Sequence, residues 1–118
     1  MTDMTNSPID ATVYGELKAA TGAEFTAELV DAFLEDSPAM ILALQSALAT
    51  GDADQFRRVA HTIKSNANVF GAHALAKPAR QLELGELDTN SGAVKATLDR
   101  LHAEYARAAI ALRSLKNG

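Results

Sequence analysis

Apolar residues recur at intervals of three and four along most of the chain, which is the spacing of one face of an α-helix. No stretch alternates β-branched and polar residues in the way that a half-buried strand does. The pattern therefore predicts an all-α protein.

The first half of the chain contains three predicted helices, of which the second runs over about residues 23–36. Ser37 and Pro38 are residue types preferred at a helix N-cap and at the first helical position, so they predict the start of the third helix. Gly51 ends it. The apolar stripes are, in order, Ile9, Val13 and Leu17; Phe25, Leu29, Ala32 and Phe33; and Ile41, Leu44 and Leu48.

The fourth helix begins with Asp52 and Gln55, which form a sequence similar to a capping box, and it ends against Gly71. The fifth runs over about residues 72–86 and contains Pro78, which predicts a late start or a kink. Their stripes are Phe56, Val59 or Ala60, Ile63, Ala67 and Phe70, and then Leu75, Ala79 and Leu82.

The last helix follows a loop at residues 85–92, and Ser91 is its candidate cap. Its 3-4 alternation is typical of a bundle seam and includes Val94, Leu98, Leu101, Tyr105, Ala108, Leu112 and Leu115. We therefore predict an antiparallel four-helix bundle with two additional shorter helices at one end. Residues 1–7 are expected to be a flexible tail, and residues 8–118 a single domain.

Composition narrows the class of protein. At 118 residues, with 47% hydrophobic and 22% charged residues, the chain can bury one core without covalent support. The absence of cysteine excludes disulfides, a thiolate nucleophile and a cysteine-based zinc site. The net charge of −4 argues against nucleic-acid binding. Without a signal peptide or a run of about 20 apolar residues, we expect a cytoplasmic protein with no membrane contact.

The stretch "AHTIKSNANVFGA", residues 60–72, places His61 on the polar face of the fourth helix. Residues three and four positions away are its neighbours on that face. Together with Asn68, one turn further along, they are Arg57, Arg58, Lys64 and Ser65. This face contains three cations around a histidine in an acidic protein, which favours binding of an anion.

Several interpretations of His61 compete. A solvated surface histidine is the plainest. Metal binding is disfavoured, because His61, His73 and His102 show no i, i+4 pairing and the nearby cations would repel Zn²⁺. The fourth helix offers no second titratable group for acid–base catalysis, and no GxSxG turn supports Ser65 as a nucleophile. Because the cations disfavour imidazolium, an exposed nucleophilic imidazole is the interpretation we favour.

The same stretch resembles the histidine-containing phosphotransfer (HPt) family, whose pattern is A-H-x-L/I-K-G-x-x-x-x-x-G-A. The matching residues are Ala60, His61, Ile63, Lys64, Gly71 and Ala72. Residues 33–52 and 75–83 are also similar to the family, so that the resemblance covers residues 25–115 in order. Two residues depart from it: Ser65 stands where the family usually has glycine, and Pro78 is unusual in the fifth helix.

The resemblance implies roles for individual residues. His61 would carry a phosphoryl group taken from a receiver-domain aspartyl phosphate and pass it to another receiver. Lys64 would offset the phosphoryl charge. Glu83 would orient the imidazole, with Gln81 as the alternative, and a chain reversal near Gly71 would return Glu83 to the level of His61.

The resemblance also implies the partners, which are receiver domains of response regulators and hybrid histidine kinases. We expect a monomer with no cofactor of its own, no autonomous kinase activity, and Mg²⁺ on the receiver. A non-catalytic adaptor or inhibitor of a receiver or kinase is the alternative. The predicted binding residues are Arg57, Arg58, Ser65, Asn68 and Gly71, with Val13, Val30 and Leu34 as a candidate apolar docking patch.

Overall fold

A computed structural model describes residues 7–85 and 92–117. These ranges contain five helices and no strand, which confirms the all-α class. The predicted tail, apart from Ser7, and the proposed Ser91 cap lie outside the described residues. The helices are α1 (Ala11–Thr21), α2 (Ala23–Thr50), α3 (Ala53–Val69), α4 (His73–Leu84) and α5 (Gly92–Asn117).

The predicted second and third helices are one continuous helix, α2, so the predicted boundary at Ser37 and Pro38 is wrong. In the described part of the chain, one additional helix, α1, therefore accompanies the four helices of the bundle, where two were predicted. The reason is packing, because a single buried stripe continues across the expected boundary. It consists of Val30, Phe33, Ser37, Ile41, Leu44 and Ala47.

The proline inside α2 removes one backbone hydrogen bond, and a side chain from another helix replaces it. Pro38 has no N–H, so the carbonyl of Leu34, four residues earlier, loses its helical donor. The hydroxyl of Tyr105, on α5, donates to that carbonyl oxygen at 3.3 Å. Burial raises the pKa of Tyr105, which keeps the hydroxyl protonated as a donor.

The second internal proline also leaves its helix continuous. α4 begins at His73 and contains Pro78, so the predicted late start is wrong. The Pro78 side chain is fully buried, on the same side as Leu75 and Leu82. Packing of this face holds the segment helical.

Helices α2 to α5 form the predicted four-helix bundle around one core. α3 packs against α2 and α4, α5 packs against α4 and α2, and α1 packs on α2 and α3. The α3 stripe of Phe56, Ala60, Ile63, Ala67 and Phe70 is buried as predicted, with Val59 at its edge. In the first half of α2 the predicted stripe is partly wrong, because Phe25 and Ala32 are exposed and Val30 is buried.

The turn between α3 and α4 depends on Gly71. Its φ is +74°, a conformation that residues with a Cβ rarely adopt, and it is buried. The backbone N–H of Asp10 donates to its carbonyl at 2.8 Å, and an added Cβ would lie 2.8 Å from the Cβ of Val13. Gly71 therefore allows the start of α1 to pack closely on the turn. The turn reverses the chain, so that α4 packs alongside α3.

Candidate functional site

His61 lies on the outer face of α3, in the middle of the helix. Its neighbours Ala60 and Ile63 are buried in the core, which fixes the orientation of α3 and directs position 61 outward. The His61 side chain is 57% exposed. The imidazole is therefore accessible to a partner protein.

Glu83 on α4 holds the imidazole. The distance from His61 Nδ1 to Glu83 Oε2 is 2.6 Å, so the predicted contact is present. An ionised carboxylate can only accept hydrogen bonds, so we assign the proton to Nδ1 as donor. In that tautomer the lone pair is on Nε2, on the other side of the ring from Glu83.

Lys64 binds the same carboxylate. Its Nζ donates to Glu83 Oε1 at 2.7 Å, and the two side chains are 23% and 19% exposed. Hydrogen bonds from Lys64, and secondarily from His61, lower the pKa of Glu83. Glu83 is therefore ionised at neutral pH and bridges the lysine and the imidazole. Lys64, predicted beside a phosphoryl group, is engaged with Glu83 in this structure.

The cationic face is not single-signed. Asp54, one turn before the arginines, lies 3.0 Å from Arg57 Nη2 and 3.5 Å from Arg58 Nη2. The interpretation of this face from the sequence counted only its cations, whereas the carboxylates of Asp54 and Glu83 also lie beside His61. These ion pairs could have been predicted from the sequence, because Asp54 precedes the two arginines by three and four residues, which places them on the same face of a helix.

An open groove lies beside His61, between α3 and the end of α4. Leu84, which the sequence analysis did not select, is 66% exposed at one side of this groove. Asp54 and Thr62 also line the groove and were not among the predicted site residues. The lining residues are Asp54, Arg57, Arg58, His61, Thr62, Glu83 and Leu84.

The predicted apolar docking patch is not assembled. Val30 is 0% exposed and belongs to the core, so its prediction as a surface residue is wrong. Val13 packs against the buried Gly71. Leu34 is partly buried against the core, and its backbone carbonyl accepts the hydrogen bond from Tyr105.

The remaining predicted positions divide between the site and its surroundings. Ser65 and Asn68 are exposed on α3 beyond His61. Gln81 accepts a hydrogen bond from Arg100 at 3.3 Å, whereas Glu83 occupies the orienting position at the imidazole.

A second depression lies between α2 and α3. Val69, 45% exposed, and the partly buried Leu29 give it an apolar character. Its lining is Leu29, Ala32, Phe33, Asp36, Asn66, Val69 and Phe70. The apolar pattern does not predict this depression, because it places Leu29 and Ala32 on the buried stripe of their helix.

Fold and site together define a helical-bundle protein that presents an exposed histidine oriented by a carboxylate. The model of the Hpt domain matches residues 28–111, well over half of the chain. The chain therefore belongs to the Hpt domain family, which confirms the resemblance and places the protein in histidine phosphotransfer of two-component signalling.

The solved structures give the same result for the fold. The chain is similar to the crystal structure of histidine-containing phosphotransfer protein B (HptB) from Pseudomonas aeruginosa PAO1, with a TM-score of 0.86 and 25% identity. The match covers 95% of this chain and 96% of that one. No curated protein matches significantly. Among the described residues, no helix has both the length and the apolar composition that crossing a membrane requires.

Proposed function

We propose that this protein is a phosphorelay intermediate, which accepts a phosphoryl group on Nε2 of His61 from a receiver-domain aspartyl phosphate and passes it to another receiver. The observation that carries this proposal is the 2.6 Å contact between His61 Nδ1 and Glu83. It leaves Nε2 as the nitrogen that carries the lone pair, on a side chain that is 57% exposed.

The transfer step needs little machinery from this chain. The Nε2 lone pair attacks phosphorus, an N–P bond forms, and the O–P bond to the aspartate breaks with its electron pair leaving on the carboxylate. The ring gains positive charge as the bond forms. Glu83 stabilises that charge through the Nδ1–H hydrogen bond. Transfer to the second receiver reverses these steps.

The partners follow from the same chemistry. Catalysis of phosphoryl transfer consists mostly of positioning and charge stabilisation, and a partner protein can supply both. Receiver domains of response regulators and hybrid histidine kinases would supply the aspartyl phosphate and the bound Mg²⁺. The family match and the similarity to HptB support this choice of partner. We further propose that the protein works as a monomer in the cytoplasm, without a cofactor of its own.

The proposal is tested by incubating the protein with a phosphorylated receiver. The expected product is an acid-labile, alkali-stable label that His61→Gln abolishes. His73→Gln is the matched control, because His73 is similarly exposed, at 60%, and also contacts a carboxylate, that of Asp10 at 3.2 Å. A label that persists in His61→Gln would disprove the assignment. Receiver binding without any labelling of the wild type would favour the non-catalytic adaptor.

A further inference from the structure

A phosphoryl group on His61 is stabilised by positive charge beside it. The candidate cations are Lys64 on one side and the arginines Arg57 and Arg58 on the other. The Lys64 ammonium is 2.7 Å from Glu83 and largely covered. Moving it to a phosphoryl group would leave the Glu83 carboxylate without its closest cation. The resting geometry therefore assigns Lys64 to Glu83.

The opposite side of the imidazole offers other cations. Side chains of an α-helix lean toward its N-terminus, so the His61 ring lies over the turn that contains Arg57 and Arg58. Both arginines line the groove beside the ring. Guanidinium groups bind phosphate oxygens with two parallel hydrogen bonds, which suits them to a tetrahedral phosphoryl group.

Asp54 occupies these arginines in the unphosphorylated protein. Its two carboxylate oxygens contact Arg57 and Arg58, one oxygen for each. The Asp54 side chain is 74% exposed, and exposed pairs of this kind are weak and exchange readily. A phosphoryl group on Nε2, with a charge between about −1 and −2, can compete with a single carboxylate for both guanidinium groups.

We propose that Arg57 and Arg58 are the phosphoryl-binding cations of this protein, that Asp54 is their resting partner, and that phosphorylation of His61 draws them from Asp54. Lys64 is then a positioning residue that acts through Glu83. This inference rests on the proposed function, because it concerns the phosphorylated state of His61.

The test measures charge at the phosphoryl group itself. The protein is phosphorylated with phosphoramidate, which needs no receiver, or with a phosphorylated receiver that is then removed. The pKa of the phosphohistidine phosphoryl group is read from its ³¹P chemical shift as the pH is varied. Nearby cations favour the dianion and lower this pKa.

Arg57→Gln and Arg58→Gln are each expected to raise the phosphoryl pKa by about 0.5, the effect of one unit charge at about 6 Å in water. Asp54→Asn is expected to leave it unchanged or lower it, because the arginines lose a competitor. Arg107→Gln is the control. Arg107 also pairs with a carboxylate three residues away, but it lies on α5, which contributes no residue to the groove beside His61. An arginine variant whose phosphoryl pKa equals that of the wild type would overturn the inference.

The role of Lys64 has its own measurement. Lys64→Gln is expected to change the imidazole tautomer populations of unphosphorylated His61, seen in the ¹⁵N shifts of the ring, and Lys64→Arg is expected to restore them. If Lys64 bound only the phosphoryl group, Lys64→Gln would leave those shifts unchanged and would raise the phosphoryl pKa instead. If neither phosphoramidate nor a receiver labels His61, the proposed function fails and this inference fails with it.

Discussion

The Nδ1 atom of His61 lies 2.6 Å from Oε2 of Glu83, although the two residues are 22 positions apart in the chain. They meet because α3 and α4 form a helical hairpin that reverses at Gly71. Lys64 holds the other oxygen of the same carboxylate at 2.7 Å. One carboxylate on α4 therefore connects two side chains of α3, and its removal should affect both chemistry and stability.

Glu83→Gln is expected to slow phosphoryl transfer to His61 by about 10- to 100-fold, by analogy with the loss seen when the carboxylate that orients a metal-binding histidine is replaced. The amide carries no charge to stabilise the developing imidazolium, and its NH₂ end would favour the wrong tautomer. The measurement is the single-turnover rate of transfer from a phosphorylated receiver.

Glu104→Gln is the matched control for this change. Glu104 is equally covered, with 20% of its side chain exposed, and it also pairs with a cation, but it lies on α5. Transfer at the wild-type rate in Glu83→Gln would contradict the orienting role. Equal slowing in both variants would indicate a general loss of structure.

Glu83 should also make the stability of the protein depend on pH. Lys64 first, and then His61, lower the pKa of Glu83 below its ordinary value of 4.5. A carboxyl group of this kind stabilises the folded state fully above its unfolded-state pKa, and the contribution is lost as the pH falls through the folded-state pKa. The contribution of the Glu83 carboxylate, measured as the free-energy difference in unfolding between wild type and Glu83→Gln, should therefore shrink as the pH falls below about 4.5. Urea unfolding followed by circular dichroism at several pH values measures it, and a difference that grew in acid would contradict it.

The hairpin that carries the site could be predicted from the sequence because its signals are local. The five-residue stripe from Phe56 to Phe70 fixed which face of α3 is buried, and this placed His61 outward. The expected reversal at Gly71 then placed Glu83 near His61.

Other features could not be predicted because they depend on contacts between helices. Continuity of α2 across Pro38 depends on buried packing and on a hydroxyl from α5. The engagement of Lys64 with Glu83 depends on the exact rotation of α4 against α3. Val30 is buried and Phe25 is 50% exposed, and the periodicity of α2 by itself does not determine which of them faces the core.

Gly71→Ala is expected to destabilise the protein by about 2–5 kcal/mol, the sum of the costs of a left-handed backbone and of overpacking. The new Cβ would lie 2.8 Å from the Cβ of Val13 and 2.9 Å from that of Asp10. Gly51→Ala separates the two effects. Gly51 has φ +73° but no atom within 4 Å of the added Cβ, so a cost of about 1–2 kcal/mol is expected. Urea unfolding measures both variants, and equal costs would contradict the close packing of α1 on the turn.

Pro38 and Tyr105 should be energetically coupled through the Leu34 carbonyl. In the wild type the Tyr105 hydroxyl donates to that carbonyl in place of a helical N–H. Tyr105→Phe should therefore lower the free energy of unfolding by about 0.5–1.5 kcal/mol. Pro38→Ala restores a backbone N–H at the fourth residue after Leu34 and should stabilise the protein by about 1–3 kcal/mol.

In the Pro38→Ala background the carbonyl has its own helical donor, so Tyr105→Phe should cost less than in the wild type. A double-mutant cycle of unfolding free energies isolates this coupling, and its expected size is about 0.5–1 kcal/mol. Effects of Pro38→Ala on the unfolded chain occur in both arms and cancel. Strict additivity would show that the hydroxyl does not replace the missing backbone donor, because the packing of the ring on Phe33, at 5.8 Å between centroids, is retained in Tyr105→Phe.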